Sequence, residues 1–340
     1  METLWWEKNP GAERFIKQIV DIVNAEKSVV VGLPEAVPWR ENAIEHCFCY
    51  PCYDKGSSHS VVTITELIRQ PGEYFLDNYC KIEKRLDYRP HISCARFLAE
   101  SDMIVLNNKI IVYWAHNKDD CEVWIRFMDE YFQWFKGNRQ KPVFIVVAKE
   151  NVEDCRGIKG VSFVNFEHIV SVFDVYAFAV MASQGVSLNK YILHYMAVLL
   201  TEICGLDVEL CARCIKYKSD FLRDPKKILE KCGANDEVTK NVRNKIYKAQ
   251  LKTIFPAVED ARVRYVNQYK DKLINYLKRE EADIEIKDVY FSIANGKICV
   301  PTEVCDEIYR FYKARNSIAH LDIVPYEEVD FLMRHARFSW

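Results

Sequence analysis

Five short runs of nearly unbroken apolar residues constrain this chain more than any other feature. They are SVVVGLP (Ser28–Pro34), VVTIT (Val61–Thr65), IIVYWA (Ile110–Ala115), VFIVVA (Val143–Ala148) and VSFVNF (Val161–Phe166). A strand with one wet face alternates apolar and polar residues. A run without alternation must be covered on both faces, as in a parallel sheet flanked by helices. Helical stretches separate the runs: ERFIKQIVDIVNAE (Glu13–Glu26), the region Cys94–Glu100, and VWIRFMDEYFQWF (Val123–Phe135). This alternation predicts a three-layer α/β domain built on a parallel sheet.

From Ser187 onward the strand signal stops and the pattern becomes helical. NKYILHYMAVLLTEICG (Asn189–Gly205) ends on a glycine stop. DPKKILEKCGAND opens with an Asp224 cap and Pro225 in the first turn. VTKNVRNKIYKAQLKTIF and DARVRYVNQYKDKLINYLKRE read as two further helices, and PTEVCDEIYRFYKARNSIAHL as another, with Val304, Ile308, Phe311 and Tyr312 on one face. The expected organisation is an α/β domain over residues 1–182, a helical connector or lid over 183–234, and an all-α helical bundle over 235–340.

The formal charge of −2 gives no global attraction to nucleic acid, so any such binding must come from a local patch. The start METLWWEKNP lacks the basic and apolar segments that export needs. The most apolar window, Ile169–Ser183, carries Asp174 and falls short of a bilayer span. With 13 cysteines and no disulfide-domain rhythm, a reducing cytoplasm is the expected setting, without membrane association. Cys49 and Cys52 in HCFCYPC, and Cys211 and Cys214, have zinc-knuckle spacing. The first pair falls in the α/β region and the second mid-helix, so no metal site is expected.

The turn after the first strand is where a P-loop would grip nucleotide through G-x-x-x-x-G-K-[ST]. Here Gly32 is followed by LPEAVPWRENA, with no second glycine, no lysine and no hydroxyl. Pro34 and Pro38 remove amide donors where a phosphate cradle needs them. IIVYWAHN offers no acid to close a Walker B strand, although Asp119 and Asp120 follow. In layout, PGAERFIKQIVDIVNAEKSVVVGLP, the strands IIVYWA and VFIVVA, and the helical segment after VSFVNF resemble STAND-type signalling ATPases whose nucleotide site has decayed. That resemblance implies an NTPase-shaped scaffold that no longer hydrolyses nucleotide.

Near the C-terminus, ARNSIAH (Ala314–His320) contains Arg-Asn-x-x-x-His. With QLKTIFPAVEDARVRYVNQY, IEIKDVYFSI and EIYRFYKARNSIAHLDIVPYEEVDFL around it, the last hundred residues resemble HEPN domains, helical modules found in RNA-cleaving toxins and defence effectors. The resemblance implies metal-independent RNA cleavage, with Arg315, Asn316 and His320 catalytic in a homodimer whose paired motifs line one cleft, and no cofactor. It also implies a setting in stress or antiviral, phage-directed defence. The residue types suit that chemistry. Histidine exchanges protons near neutral pH, and arginine steadies charge building on a phosphate. Asn316 can orient the imidazole from one turn away. Arg315 and His320 stand about 140° apart round a helix and do not converge within one chain.

A basic stretch accompanies the motif. Between Arg213 and Lys252 the basic residues outnumber the acids by seven, and no acid occurs from Val238 to Val258. Val238, Val242, Ile246 and Ala249 form the expected buried stripe, flanked by Lys240 and Arg243 on one side and Lys245, Lys248 and Lys252 on the other. That is a geometry for an RNA backbone. The alternative is a non-enzymatic module that docks a partner protein, with the motif fixing a bend between helices.

Overall fold

The computed structural model describes residues 1–49, 60–101, 106–136, 141–152, 158, 160–184 and 188–336. Contacts divide the chain into two compact units, Met1–Ile169 and Val170–Trp340.

The first unit holds one five-stranded, wholly parallel sheet. Its strands are β1 (Ser28–Gly32), β2 (Ser60–Ile64), β3 (Lys109–Trp114), β4 (Val143–Ala148) and β5 (Val161–Asn165), in the spatial order β2-β3-β4-β1-β5. Each coincides with one of the five apolar runs. Every residue of the central strands β1 and β4 is buried, so both faces of the sheet are covered. The edge strands β2 and β5 are more exposed, as strands with only one paired neighbour are. On one face, helix Pro10–Asn24 packs against β1 and β5. Its start is fixed by Asn9, whose side chain accepts from the amides of Gly11 and Ala12, and by Pro10 in the first turn. Helix Lys118–Trp134 packs against β4. It sends Trp124, Phe127 and Tyr131 into an aromatic cluster with Phe75 and Phe144.

The second unit is helical throughout its described residues. It opens with helix Val172–Ala182, held by a reciprocal cap between Ser171 and Asp174. This helix packs on helix Lys190–Cys204, placing it with the second unit rather than with the α/β domain expected to extend to residue 182. The axis of the unit is the 27-residue helix Val242–Gln268, which touches helices Lys190–Cys204, Ile286–Ala294, Thr302–Ala319 and Tyr326–His335. The two separate helices expected around Pro256 are therefore one. Pro256 lies exposed inside it, while Ala249, Ile254, Ala257, Val258 and Ala261 are buried on both sides of the proline. Burial along one continuous face outweighs the missing backbone bond. No described helix is long and apolar enough to cross a membrane.

Candidate functional site

In open α/β sheets, ligands bind beyond the carboxyl ends of strands at the point where neighbouring strands send their connections in opposite directions. Here that point lies between β1 and β4, because the chain leaves β1 for the β2 edge and leaves β4 for β5. Arg40 fills it. Its Nε donates to the Leu33 carbonyl at 2.7 Å, a second guanidinium nitrogen reaches the Ala148 carbonyl at 3.3 Å, and the group lies 5.0 Å over the Trp114 ring. The Leu33 amide, which a phosphate cradle would aim outward, donates to Ala148 instead. Beside it Lys149 pairs with Glu35 at 3.0 Å. Gly32 has a different use from phosphate binding. A Cβ there would lie 2.1 Å from the Asn165 side-chain oxygen, whose amide bonds both the N–H and the C=O of Val152.

Asp120, one of the two acids that follow β3, is a structural group. It is buried and accepts from the Tyr113 hydroxyl at 2.6 Å and from the His116 amide at 2.9 Å. Burial, then that carboxylate, pushes the Tyr113 hydroxyl up.

Of the cysteine pairs, Cys49–Cys52 extends beyond the described residues. Cys211 and Cys214 are buried beside Cys204 and Cys232, with thiol contacts running Cys211–Cys204–Cys214–Cys232. Cys204 and Cys214 are pushed well up, first by their thiol neighbours and then by burial. Burial takes Cys232 up to about 11. Such thiols stay protonated and act as packing groups. Among the described residues no group of His, Cys, Asp or Glu is arranged to hold a metal ion.

The Arg-Asn-x-x-x-His motif occupies the last turn of helix Thr302–Ala319, with His320 as the C-cap. The helix ends in a Schellman turn. Asp322 N donates to Ser317 O at 2.8 Å and Leu321 N to Ile318 O at 3.1 Å, with Leu321 at φ 59°. Gln250, buried in the long helix, holds the chain beyond that turn. Its amide donates to Val324 O at 2.7 Å and accepts from Val324 N at 2.8 Å. The Tyr247 hydroxyl bonds Ile318 O at 3.2 Å. His320 is exposed, whereas Arg315 and Asn316 are half-buried. Arg315 pairs with Glu285 at 3.1 Å. No hydrogen bond joins the Asn316 amide to the imidazole among the described residues.

Arg315 lines a cavity of about 310 Å³ with Phe255, Glu259, Arg262, Ile284, Glu285 and Ala319. Arg262 bonds Glu259 at 2.7 Å and the Ile284 carbonyl at 3.2 Å. Glu285 also caps helix Ile286–Ala294 and meets Lys287 at 3.3 Å. Sequence reasoning missed Phe255, Glu259, Arg262 and Glu285 as neighbours of Arg315; they lie 30 or more residues away in the chain. The only available signal was their presence in the segments that carry the helical resemblance.

The basic stretch is not one stripe. A break at Asn241 separates the short helix Asp236–Lys240 from the long helix, so Lys240 lies on a different helix from the others. Val242 and Ala249 are buried, but Val238 and Ile246 are only half-buried. Three of the five cations are engaged inside the unit. Arg243 pairs with Asp322 at 2.6 Å, Lys245 donates to the Ile203 carbonyl at 2.8 Å, and Lys252 pairs with Glu202. Among the described residues Lys240 and Lys248 have no such partner.

No protein-family model matches the chain, and no curated protein matches it.

Proposed function

We propose that the protein is a metal-independent endoribonuclease of HEPN type, its α/β half a STAND-like scaffold that no longer binds nucleotide for hydrolysis. The observation that carries this reading is the placement of His320. It stands exposed at a helix end closed by hydrogen bonds, with Arg315 five residues before it lining a cavity. In this reading two protomers bring their motifs together. One imidazole takes the proton from the 2′-hydroxyl, and the 2′-oxygen attacks the adjacent phosphorus. The P–O5′ bond breaks as the other imidazole protonates the leaving 5′-oxygen, giving a 2′,3′-cyclic phosphate. Arg315 steadies the charge on the phosphate oxygens. Arg40, seated in the switch-point crevice, supports the loss of nucleotide chemistry in the α/β half. A cytoplasmic role in defence against phage or virus belongs to the same reading.

The internal pairing of Arg243, Lys245 and Lys252 favours a second reading, an adaptor that docks a partner protein and uses the motif only to shape the helix end. Incubation of the purified chain with total RNA in EDTA separates the two. The ribonuclease cleaves under chelation and loses at least about a hundredfold in rate in His320→Ala, the lower range of general acid–base contributions. Intact RNA with wild-type protein at dimer-forming concentrations leaves the adaptor.

A further inference from the structure

The cavity beside the motif has a composition that selects a ligand. Arg262 and Arg315 bring two positive charges and Glu259 and Glu285 two negative ones, so the site is neutral and does not favour a free anion. Its volume of about 310 Å³ is at the small end of the range for small-molecule sites. Ala282, Ile284, Ile286 and Ala319 give it an apolar lining, and Phe255, 40% exposed, stands at its edge.

Arg262 and Glu259 lie one turn apart on the long helix and are bonded to each other, so a fork of donors sits beside a carboxylate. Arg262 uses its Nε on Glu259 and one terminal nitrogen on the Ile284 carbonyl, leaving N–H groups of its five. Each Glu259 oxygen has two lone pairs, and the Arg262 bond takes one of them. Glu285 is more committed, to Arg315, Lys287 and a helix N-terminus.

A donor fork beside a carboxylate complements guanine. That base presents two acceptors, N7 and O6, next to two donor groups, N1–H and the 2-amino group. Arginine pairs with N7 and O6. Adenine offers a donor where guanine has O6 and an acceptor at N1, and neither pyrimidine carries both pairs of groups. Unstacked bases in single-stranded RNA stack on aromatic rings and on guanidinium planes.

We propose that this cavity is a guanine subsite for single-stranded RNA, with Arg262 reading N7 and O6, Glu259 accepting from N1–H and the 2-amino group, and Phe255 stacking on the ring. The inference rests on the ribonuclease reading for its substrate class, and it makes Arg315, at the cavity wall, the group that meets the phosphate of the bound nucleotide.

Calorimetric titration of the full chain with guanosine, adenosine, cytidine and uridine 3′-monophosphates tests the site without requiring cleavage. The guanosine nucleotide binds most tightly. Phe255→Ala weakens it by about tenfold, as loss of one stacked base does. Glu259→Gln removes the preference over adenosine, and both side chains are exposed enough for the variants to keep the wild-type circular dichroism spectrum. Equal binding of all four nucleotides, no binding, or a guanine preference that survives both variants overturns the subsite. The two proposals fail separately. Guanine selection by an RNA-inert protein removes only cleavage, and cleavage by a protein blind to guanine removes only the subsite.

Discussion

Leu321 ends the motif helix in a conformation that a leucine side chain resists. At φ 59° its Cβ crowds the carbonyl oxygen, a left-handed geometry that costs an L-residue roughly 1–2 kcal/mol and glycine almost nothing. The position is held by the two Schellman bonds and by Gln250, which satisfies both backbone groups of Val324. The leucine side chain is 71% exposed, so little packing would be lost on its removal. Leu321→Gly is therefore expected to stabilise the protein by about 0.5–1 kcal/mol, part of the relieved strain being offset by the larger entropy of an unfolded glycine. Urea unfolding reads this as a higher midpoint at unchanged slope. A lower midpoint would mean that the leucine packs on something that holds the helix end. The bend between the two helices was legible in the sequence, but its left-handed residue was not: helix stops are recognised by glycine or asparagine, and here neither follows His320.

At the scale of elements, legibility follows how local the cause is. The three inner strands were readable because burial on both faces writes itself into consecutive residues; the edge strands β2 and β5 carry similar apolar runs although they are less buried. Helix Cys94–Glu100 was readable as a helical stretch between two apolar runs, and its start is fixed by Ser93, whose side chain accepts from the Arg96 amide. Helix Val242–Gln268 was not, because Pro256 argues locally for a break and only the faces of four other helices argue against it. Those faces bury Ile254 and Ala257 on either side of the proline. The cavity was illegible for a similar reason: Glu285 meets Arg315 through the packing of two helices, whereas the motif's own spacing shows only that Arg315 and His320 diverge. Pro256 itself gives a test. It removes one backbone donor, and with its ring against the preceding turn this costs about 3 kcal/mol in a regular helix interior. Pro256→Ala restores the donor to the Lys252 carbonyl, while the unfolded chain gains roughly 0.4–1 kcal/mol of entropy. A net gain of about 1–2 kcal/mol is expected in chemical denaturation. An unchanged or lower stability would show that the surrounding helices are fitted to the backbone geometry the proline imposes.

For the whole molecule, the question is where one folding unit stops and the next begins. Composition gives no marker between residues 166 and 190, since the apolar helix Val172–Ala182 could cover a sheet face or join a bundle equally well. Packing decides for the bundle: its buried Val175, Phe178 and Ala179 belong to an element that contacts helix Lys190–Cys204, and its own N-terminus is closed by the Ser171–Asp174 box. A unit starting at Val170 thus begins with a self-capped helix and a complete core, and at about 170 residues it is large enough to bury roughly 70% of its unfolded surface. The fragment 170–340 is expected to unfold in one cooperative thermal transition with a strongly helical circular dichroism spectrum. A fragment beginning at residue 183 loses the burial of Val175 and Phe178, about 1.5–3 kcal/mol each, and uncovers the apolar side of helix Lys190–Cys204. It should melt at lower temperature or aggregate. Equal stability of the two fragments would assign the helix to the α/β half and return the boundary to residue 182. If the ribonuclease reading holds, cleavage travels with fragment 170–340 and not with the α/β half, because Arg315, His320 and the cavity residues all lie within it.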